Sequence, residues 1–373
     1  MKRDSLILLA ALLAGIFNPD PSAAAEKGRP RGRRPPPVVS PILHEDSRVT
    51  FQVQAKDARE VSVSGQMLKG RAMMTRGEHD IWSVTIGPVE PGLYEYSLTI
   101  DGFRMVDPGN MQLKPTRSPR TSILHLPGDH AHDFSEVPHG TVHHHAYHSK
   151  PIGRFREFQV YTPPGYETGV DRYPVLVLQH GHSDCFATWT VHGKAHWILD
   201  NLIAAGKARP MIVVMLDGHP IPGSYGDGRS EANTDELRRD LMEAALPMVE
   251  KLYRLKPGRE HRAIAGLSMG GLHSLTIGMN ALDRFAWVGA FSAAIPRDEA
   301  VAPAMSDAVH TNERMKLLWI AIGEEDFLLK ENREFVARLN DRGIDHVWRL
   351  TEGGHSWPVW RGYLEEFVPL LFR

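Results

Sequence analysis

The sequence predicts a small all-β unit followed by an α/β unit built on a mostly parallel sheet, and three observations predict it. Between about 38 and 127, short runs rich in β-branched and aromatic residues (RVTFQVQ, EVSVSG, DIWSVTI, LYEYSLTI) are separated by turn clusters such as Gly87-Pro88, Pro91-Gly92 and Asp101-Gly102. After Ile152 continuous apolar strands alternate with helical stretches, the pattern of a parallel sheet covered on both faces. At the end of one such strand, IAGLSMGGLHSL (264–275) sets a single serine between glycines.

The elements follow in chain order. Lys2 and Arg3, the apolar run Leu6 to Phe17 and the small residues Ser22 to Ala25 read as a signal peptide over 1–25 with an A-x-A-type cleavage site. That run is too short for a comfortable membrane span, and no cysteine follows to carry a lipid. An exported protein is expected, periplasmic or secreted, with no stable membrane anchor. Residues 26–37, EKGRPRGRRPPP, form a basic, proline-rich linker. Regularly spaced strands over 38–127 suggest a small immunoglobulin-like β-sandwich. Residues 128–150 are polar and hold seven histidines; no two are spaced convincingly for a metal, so a solvated His-rich linker is expected.

The α/β unit then occupies 151–373. YPVLVLQH (173–180) is a strand, followed by the helical WILDNLIAAGKA, and PMIVVMLDGH (210–219) is the next strand. Asn233 and Glu236 offer a capping pair for a helix running to about Tyr253, which Pro247 should kink or break. RAIAGL, AWVGAFS, KLLWIAI and HVWRLT are further strands. In such sheets ligands sit outside the carboxyl ends of the strands.

Composition narrows the function. A 42% hydrophobic and 24% charged chain of 373 residues is ordinary for a globular protein, and a net charge of −2 argues against a nucleic-acid binder. The single cysteine, Cys185, excludes an intrachain disulfide and reads as a small, partly buried residue.

A serine hydroxyl needs a base, an orienting acid and an oxyanion site before it can act as a nucleophile. RAIAGL followed by SMGGLHSL is strand, sharp turn and helix, the context of a nucleophile elbow at Ser268, where Gly266 and Gly270 relieve crowding. The Met269 amide opens the following helix and is the first candidate oxyanion donor. The second should come from His180-Gly181-His182, and the His182 amide is the choice there. KLLWIAIGEEDFLL places Glu324, Glu325 and Asp326 beyond a strand, with the shorter Asp326 preferred as the acid. HVWRLTEGGHSWPVW places His355 after a strand and a Gly-Gly turn. The order Ser268, Asp326, His355 is the α/β-hydrolase order. The loop 219–236 is a candidate substrate rim, with Tyr225, Trp189 and Trp357 as candidate stacking surfaces or ordinary core aromatics.

Taken together, YTPPGY, HGHSD, PMIVVMLDGH, LYRLKPGREHRAIAGLSMGG, GAFSAA and GGHSWPVWR resemble the esterase family that contains esterase D and enterochelin esterase-like proteins and carbohydrate esterase family 1, with its feruloyl and acetylxylan esterases. The resemblance spans about 150–373. The stretch with DGFRMVDPGN, over about 38–127, is similar to the early-set β-sandwich or family-48 carbohydrate-binding module fused before such esterases. The resemblance implies Ser268 as nucleophile, His355 as general base and acid, Asp326 as its orienter, and the amides of Met269 and His182 as oxyanion donors. Relatives carry a glycine-rich run after the His-Gly pair, whereas this chain reads His182-Ser183-Asp184-Cys185. The expected activity is two-step hydrolysis of acyl esters on carbohydrate, feruloyl or acetyl, with no metal or organic cofactor needed. The alternatives are a siderophore esterase or acyltransferase, and an inactive carbohydrate-binding protein.

Overall fold

Alternation along each strand decides which residues become core in the N-terminal part. The computed structural model of the protein describes residues 37–222 and 228–373; the expected signal peptide and residues 26–36 of the expected linker lie outside the described residues. The first strands are β1 (Ile42–Leu43), β2 (Val49–Gln54), β3 (Val61–Gly65), β4 (Arg71–Met73), β5 (Thr75–Arg76), β6 (Ile81–Ile86), β7 (Gly92–Ile100), β8 (Phe103–Met105) and β9 (Ser122–Leu126). They form a four-stranded sheet, β1-β2-β6-β5, and a second sheet, β4-β3-β7-β8, with β9 paired to β7. Val49, Phe51 and Val53 of β2 point to one side and are buried, while Thr50, Gln52 and Gln54 point to the other. Val61 and Val63 of β3 and Tyr96 and Leu98 of β7 meet them, so one apolar core lies between the two sheets.

The remaining strands, β10 (Thr141–Ser149), β11 (Arg154–Thr162), β12 (Val175–Gln179), β13 (Ile212–Leu216), β14 (Arg262–Leu267), β15 (Trp287–Phe291), β16 (Leu317–Gly323) and β17 (Val347–Thr351), make one sheet. Their order is β10-β11-β13-β12-β14-β15-β16-β17. The pairs β10–β11 and β11–β13 are antiparallel, and every other pair is parallel. Helices α1 (Thr188–Val191), α2 (Ala195–Ala204), α3 (Glu231–Asp240), α4 (Leu246–Leu252), α5 (Met269–Asn280), α6 (Ala302–Ser306), α7 (Ala308–Arg314), α8 (Leu329–Arg342) and α9 (Trp357–Phe367) connect and follow the strands. Both faces are covered: Val175, Val177, Ile264 and Val288 pack on α3, α4, α5 and α8, whereas Leu176, Leu178, Ala265 and Phe291 pack on α2 and α9. Burial on both faces explains why these strands are apolar throughout rather than alternating.

Two expectations need correction. The segment 128–150 is not a free linker, because Thr141–Ser149 is a nine-residue edge strand of the large sheet. Its histidines work as strand residues: His145 stacks on Phe158 at 5.0 Å and bonds the Tyr253 hydroxyl at 2.5 Å, while Tyr147 donates to Asp240 at 2.8 Å. Val38–Arg373 accordingly forms one compact unit. The second correction concerns α3. Its cap is Ser230, whose hydroxyl accepts the Asn233 N–H at 3.1 Å, not Asn233 with Glu236. Asn233 is instead buried, donating its side chain to the Gly218 and Gly228 carbonyls. The expected irregularity near Pro247 is a π-helical turn at Leu241–Ala245, placed just before that proline in the first turn of α4.

Candidate active site

The sharp turn after β14 holds Ser268 in a strained backbone conformation. Ser268 has φ 52° and ψ −115°, a region costing about 1–3 kcal/mol for a residue with a side chain. Neighbouring backbone holds it there: the Ser268 N–H donates to Phe291 O at 2.8 Å, and the Ala294 N–H donates to Ser268 O at 3.0 Å. The flanking glycines are required by close approach. A Cβ on Gly266 would lie 2.6 Å from the Gly270 backbone, and one on Gly270 would lie 2.6 Å from both the Gln179 and His180 carbonyl oxygens. Strand β12 and the turn into α5 therefore touch backbone to backbone.

Three loops at the carboxyl end of the sheet converge on that serine. His355, after β17, places Nε2 3.0 Å from Ser268 Oγ. Its Nδ1 lies 2.9 Å and 3.1 Å from the two carboxylate oxygens of Asp326, which follows β16. Asp326 is buried and also accepts the Leu328 N–H at 2.9 Å. Burial pushes its carboxyl up, but the His355 bond and the Leu328 amide outweigh that and hold it below the usual range, so it remains ionised. Phe327 lies at 4.5 Å from the His355 ring and Trp360 meets it edge-on at 4.9 Å, which fixes the ring between Ser268 and Asp326. Glu324 and Glu325, the other carboxylates of that loop, are exposed.

The proposed oxyanion donors occupy suitable backbone. Met269 is the first residue of α5, where amides have no intrahelical acceptor. Gly181, His182, Ser183 and Asp184 line a cleft of about 560 Å³ with Ser268, His355, Phe327, Trp357 and Trp360. A larger cavity of about 700 Å³ lies beside α3 and α5 and does not include the serine; chemistry, not size, selects the smaller one.

Sequence reasoning missed the groups that hold the His182 loop. The His180 ring accepts the Gly218 N–H at Nε2 (2.8 Å), so its proton sits on Nδ1 and is donated to Gly181 O at 2.7 Å. The His219 Nε2 donates to the His182 carbonyl, and burial holds His219 down to about 3, neutral at ordinary pH. Asp217 is also shifted: burial pushes it up, yet the Arg156 guanidinium and the His219 N–H bring it down to about 2. Both His180 and His219 stood at strand ends in the sequence, which is the signal that could have found them.

Of the candidate stacking residues, Trp189 is core: it is 1% exposed and its Nε1 donates to Gln179 O at 3.0 Å. Trp357 lines the cleft, and Tyr225 lies outside the described residues. Among the described residues, His130, His132 and Asp133 carry ligand-type atoms within 4.8 Å of one another. The Asp133 carboxylate already accepts from His125, the Gly128 and His130 amides and the His130 ring, so it acts as the anchor of its loop.

Fold and site together define a hydrolase of the α/β-hydrolase type. A family model described as "Putative esterase" matches residues 149–371, and the chain belongs to that family of ester hydrolases. An "Endo-1,4-beta-xylanase/feruloyl esterase" of Xylanibacter ruminicola is 30% identical over 348 residues, covering 89% of this chain and 46% of that protein. The chain spans about half the length of the curated relatives it matches. A solved ferulic acid esterase is 26% identical, with a TM-score of 0.54 over 62% of this chain and 97% of its own. The enterobactin esterase of Shigella flexneri, 19% identical, shares the fold with a TM-score of 0.61 over 86% of this chain and 92% of its own.

Proposed function

We propose that the protein is an exported serine esterase that hydrolyses acyl esters on carbohydrate, with feruloyl or acetyl esters of xylan-type polysaccharide as substrates. The observation that carries the mechanism is His355 bridging Ser268 Oγ at 3.0 Å and Asp326 at 2.9 Å. His355 removes the hydroxyl proton as Ser268 attacks the ester carbonyl, and the Met269 and His182 amides stabilise the oxyanion, each contributing about 3–4 kcal/mol. His355 then protonates the leaving alcohol, and water, deprotonated by the same imidazole, releases the acid from the acyl-enzyme. Ionised Asp326 keeps the Nδ1 proton in place and stabilises the imidazolium.

The substrate class is supported by the xylanase/feruloyl esterase relative, whose similarity runs through the N-terminal sheets as well as the α/β part. Two antiparallel sheets around one core fit the immunoglobulin-like, early-set reading of 38–127. The leader over 1–25 supports export, periplasmic or secreted, and among the described residues no helix is long and apolar enough to cross a membrane. A second reading, siderophore ester hydrolysis, is favoured by the enterobactin esterase structure, which aligns over more of this chain than the ferulic acid esterase does.

A panel of methyl ferulate, acetylated xylan and enterobactin decides between them, with Ser268→Ala as blank. Release of ferulate or acetate supports the first reading and release of catecholate the second. Undiminished hydrolysis by Ser268→Ala refutes the mechanism.

A further inference from the structure

The cleft around Ser268 has one wall that does not come from the α/β part. Lys114, in the segment between β8 and β9, lines it together with Ser268, His355 and Trp357. The segment that carries Lys114 is docked rather than draped. Thr116 pairs with Asp184 in an antiparallel bridge, and the Arg117 N–H donates to Ser183 O at 3.0 Å. Pro115 O accepts from the Thr188 hydroxyl at 2.5 Å and from the Cys185 thiol at 3.2 Å. Ser183-Asp184-Cys185, the stretch standing where relatives carry glycines, is thus the surface that receives the N-terminal unit.

The Lys114 ammonium is held from below and left open toward the cleft. Glu95, on β7, takes one N–H at 2.9 Å, and the Trp357 ring lies 5.9 Å away. Asp184 stands at 3.8 Å, too far for a hydrogen bond, and its buried Oδ1 has no hydrogen-bond partner. An ammonium carries three donors and no acceptor. One is spent on Glu95, which also balances the charge, so what Lys114 offers the cleft is donors rather than an uncompensated positive field.

We propose that Lys114 is a specificity-determining residue contributed by the N-terminal unit, donating a hydrogen bond to an acceptor oxygen of the bound ester. The ligand class is an oxygen-substituted ester, carrying hydroxyl, methoxyl or sugar oxygens, in preference to a bare hydrocarbon one. This rests on the esterase reading above. A site that hydrogen-bonds a substrate oxygen discriminates strongly against the analogue lacking it, because its own donors are then stranded.

The test is Lys114→Met, which keeps the length of the side chain and removes its donors, measured on two matched ester pairs. Methyl ferulate against methyl cinnamate varies oxygens on the acyl side, and acetylated xylobiose against cyclohexyl acetate varies them on the alcohol side. The ratio of kcat/KM, oxygenated over bare, should fall at least about ten-fold in one pair, chiefly through KM. Lys114→Arg should recover most of the ratio, a rescue that a merely structural lysine would not produce. Lys114→Ala, which also removes the donors, replaces Lys114→Met should the latter fail to fold. An unchanged ratio in both pairs, or an equal loss on all four esters, overturns the proposal. Failure of wild-type protein to hydrolyse any ester would instead refute the esterase reading. Calorimetric binding to Ser268→Ala protein, of ferulate against cinnamate and xylobiose against cyclohexanol, then decides the role of Lys114 by the same ten-fold criterion.

Discussion

Replacing Asp326 by Asn isolates what the carboxylate does for His355. The Leu328 N–H already fixes one oxygen at 2.9 Å, so the Asn carbonyl is expected to keep that bond and its NH₂ to face His355 Nδ1. A donor there forces Nδ1 to accept, moving the ring proton to Nε2, 3.0 Å from Ser268 Oγ. The imidazole then has a proton where it needs a lone pair. Nearly the whole base function is lost while shape is kept, which corresponds to roughly 10³–10⁴ in kcat, or about 4 to 5.5 kcal/mol. The assay is steady-state hydrolysis of a chromogenic acetate ester by wild type, Asp326→Asn and Glu325→Gln, with circular dichroism melts alongside. Glu325 is exposed and should tolerate the change within about two-fold. Retention of more than about a tenth of wild-type kcat by Asp326→Asn would refute the tautomer argument. A comparable loss in Glu325→Gln would move the acid to the wrong residue.

Two further predictions follow from packing and burial. Gly270→Ala places a methyl 2.6 Å from two carbonyl oxygens of β12 and its loop, so it should cost about 1–3 kcal/mol in a urea melt and abolish most activity; wild-type behaviour in both would show that the backbones do not touch as described. His273 is fully buried, and burial holds it down to about 4 against an ordinary 6.5. Its folded pKa is the lower one, so the contribution is complete above pH 6.5 and fades as pH falls toward 4, by about 3 kcal/mol. Urea melts of wild type and His273→Gln at pH 7 and pH 4.5 should therefore show the smaller acid loss in the variant, and equal losses would rule His273 out as a source.

The meeting of Ser268, Asp326 and His355 was legible because each follows a continuous apolar strand and a turn, and the order along the chain is itself restrictive. The same strands made the sheet legible, since burial on both faces leaves a run of Val, Ile and Leu that few other contexts produce. Strand β10 was not legible. Histidine is neither clearly apolar nor clearly polar, so the alternation in TVHHHAYHS is invisible until Phe158, Tyr253 and Asp240 supply the partners. The α3 cap was misplaced by three residues because Ser230, Asn233 and Thr234 are all good cap residues locally, and only the observed bond from Asn233 N selects among them. The cleft wall at Lys114 had no local signal at all, since Lys114 and Asp184 are brought together only by the docking of one unit on the other.

That docking bears on what the N-terminal unit is for. Its seam with the α/β part holds Lys114, Glu95, Asp184 and His192, all largely buried. Burial pushes Glu95 up, but His192 and Lys114 bring it down to about 2, while burial holds His192 down to about 4 and therefore uncharged at neutral pH. Such groups pay desolvation that well-packed apolar side chains would not, so as glue alone the seam is a poor solution. Two of these groups, Lys114 and Asp184, line the cleft itself, whereas the core between the two N-terminal sheets is apolar. A freely tethered sugar-binding module would need no lysine beside the nucleophile. The distribution is instead that of a wall of the cleft around Ser268, in keeping with the part proposed for Lys114 in choosing the ester.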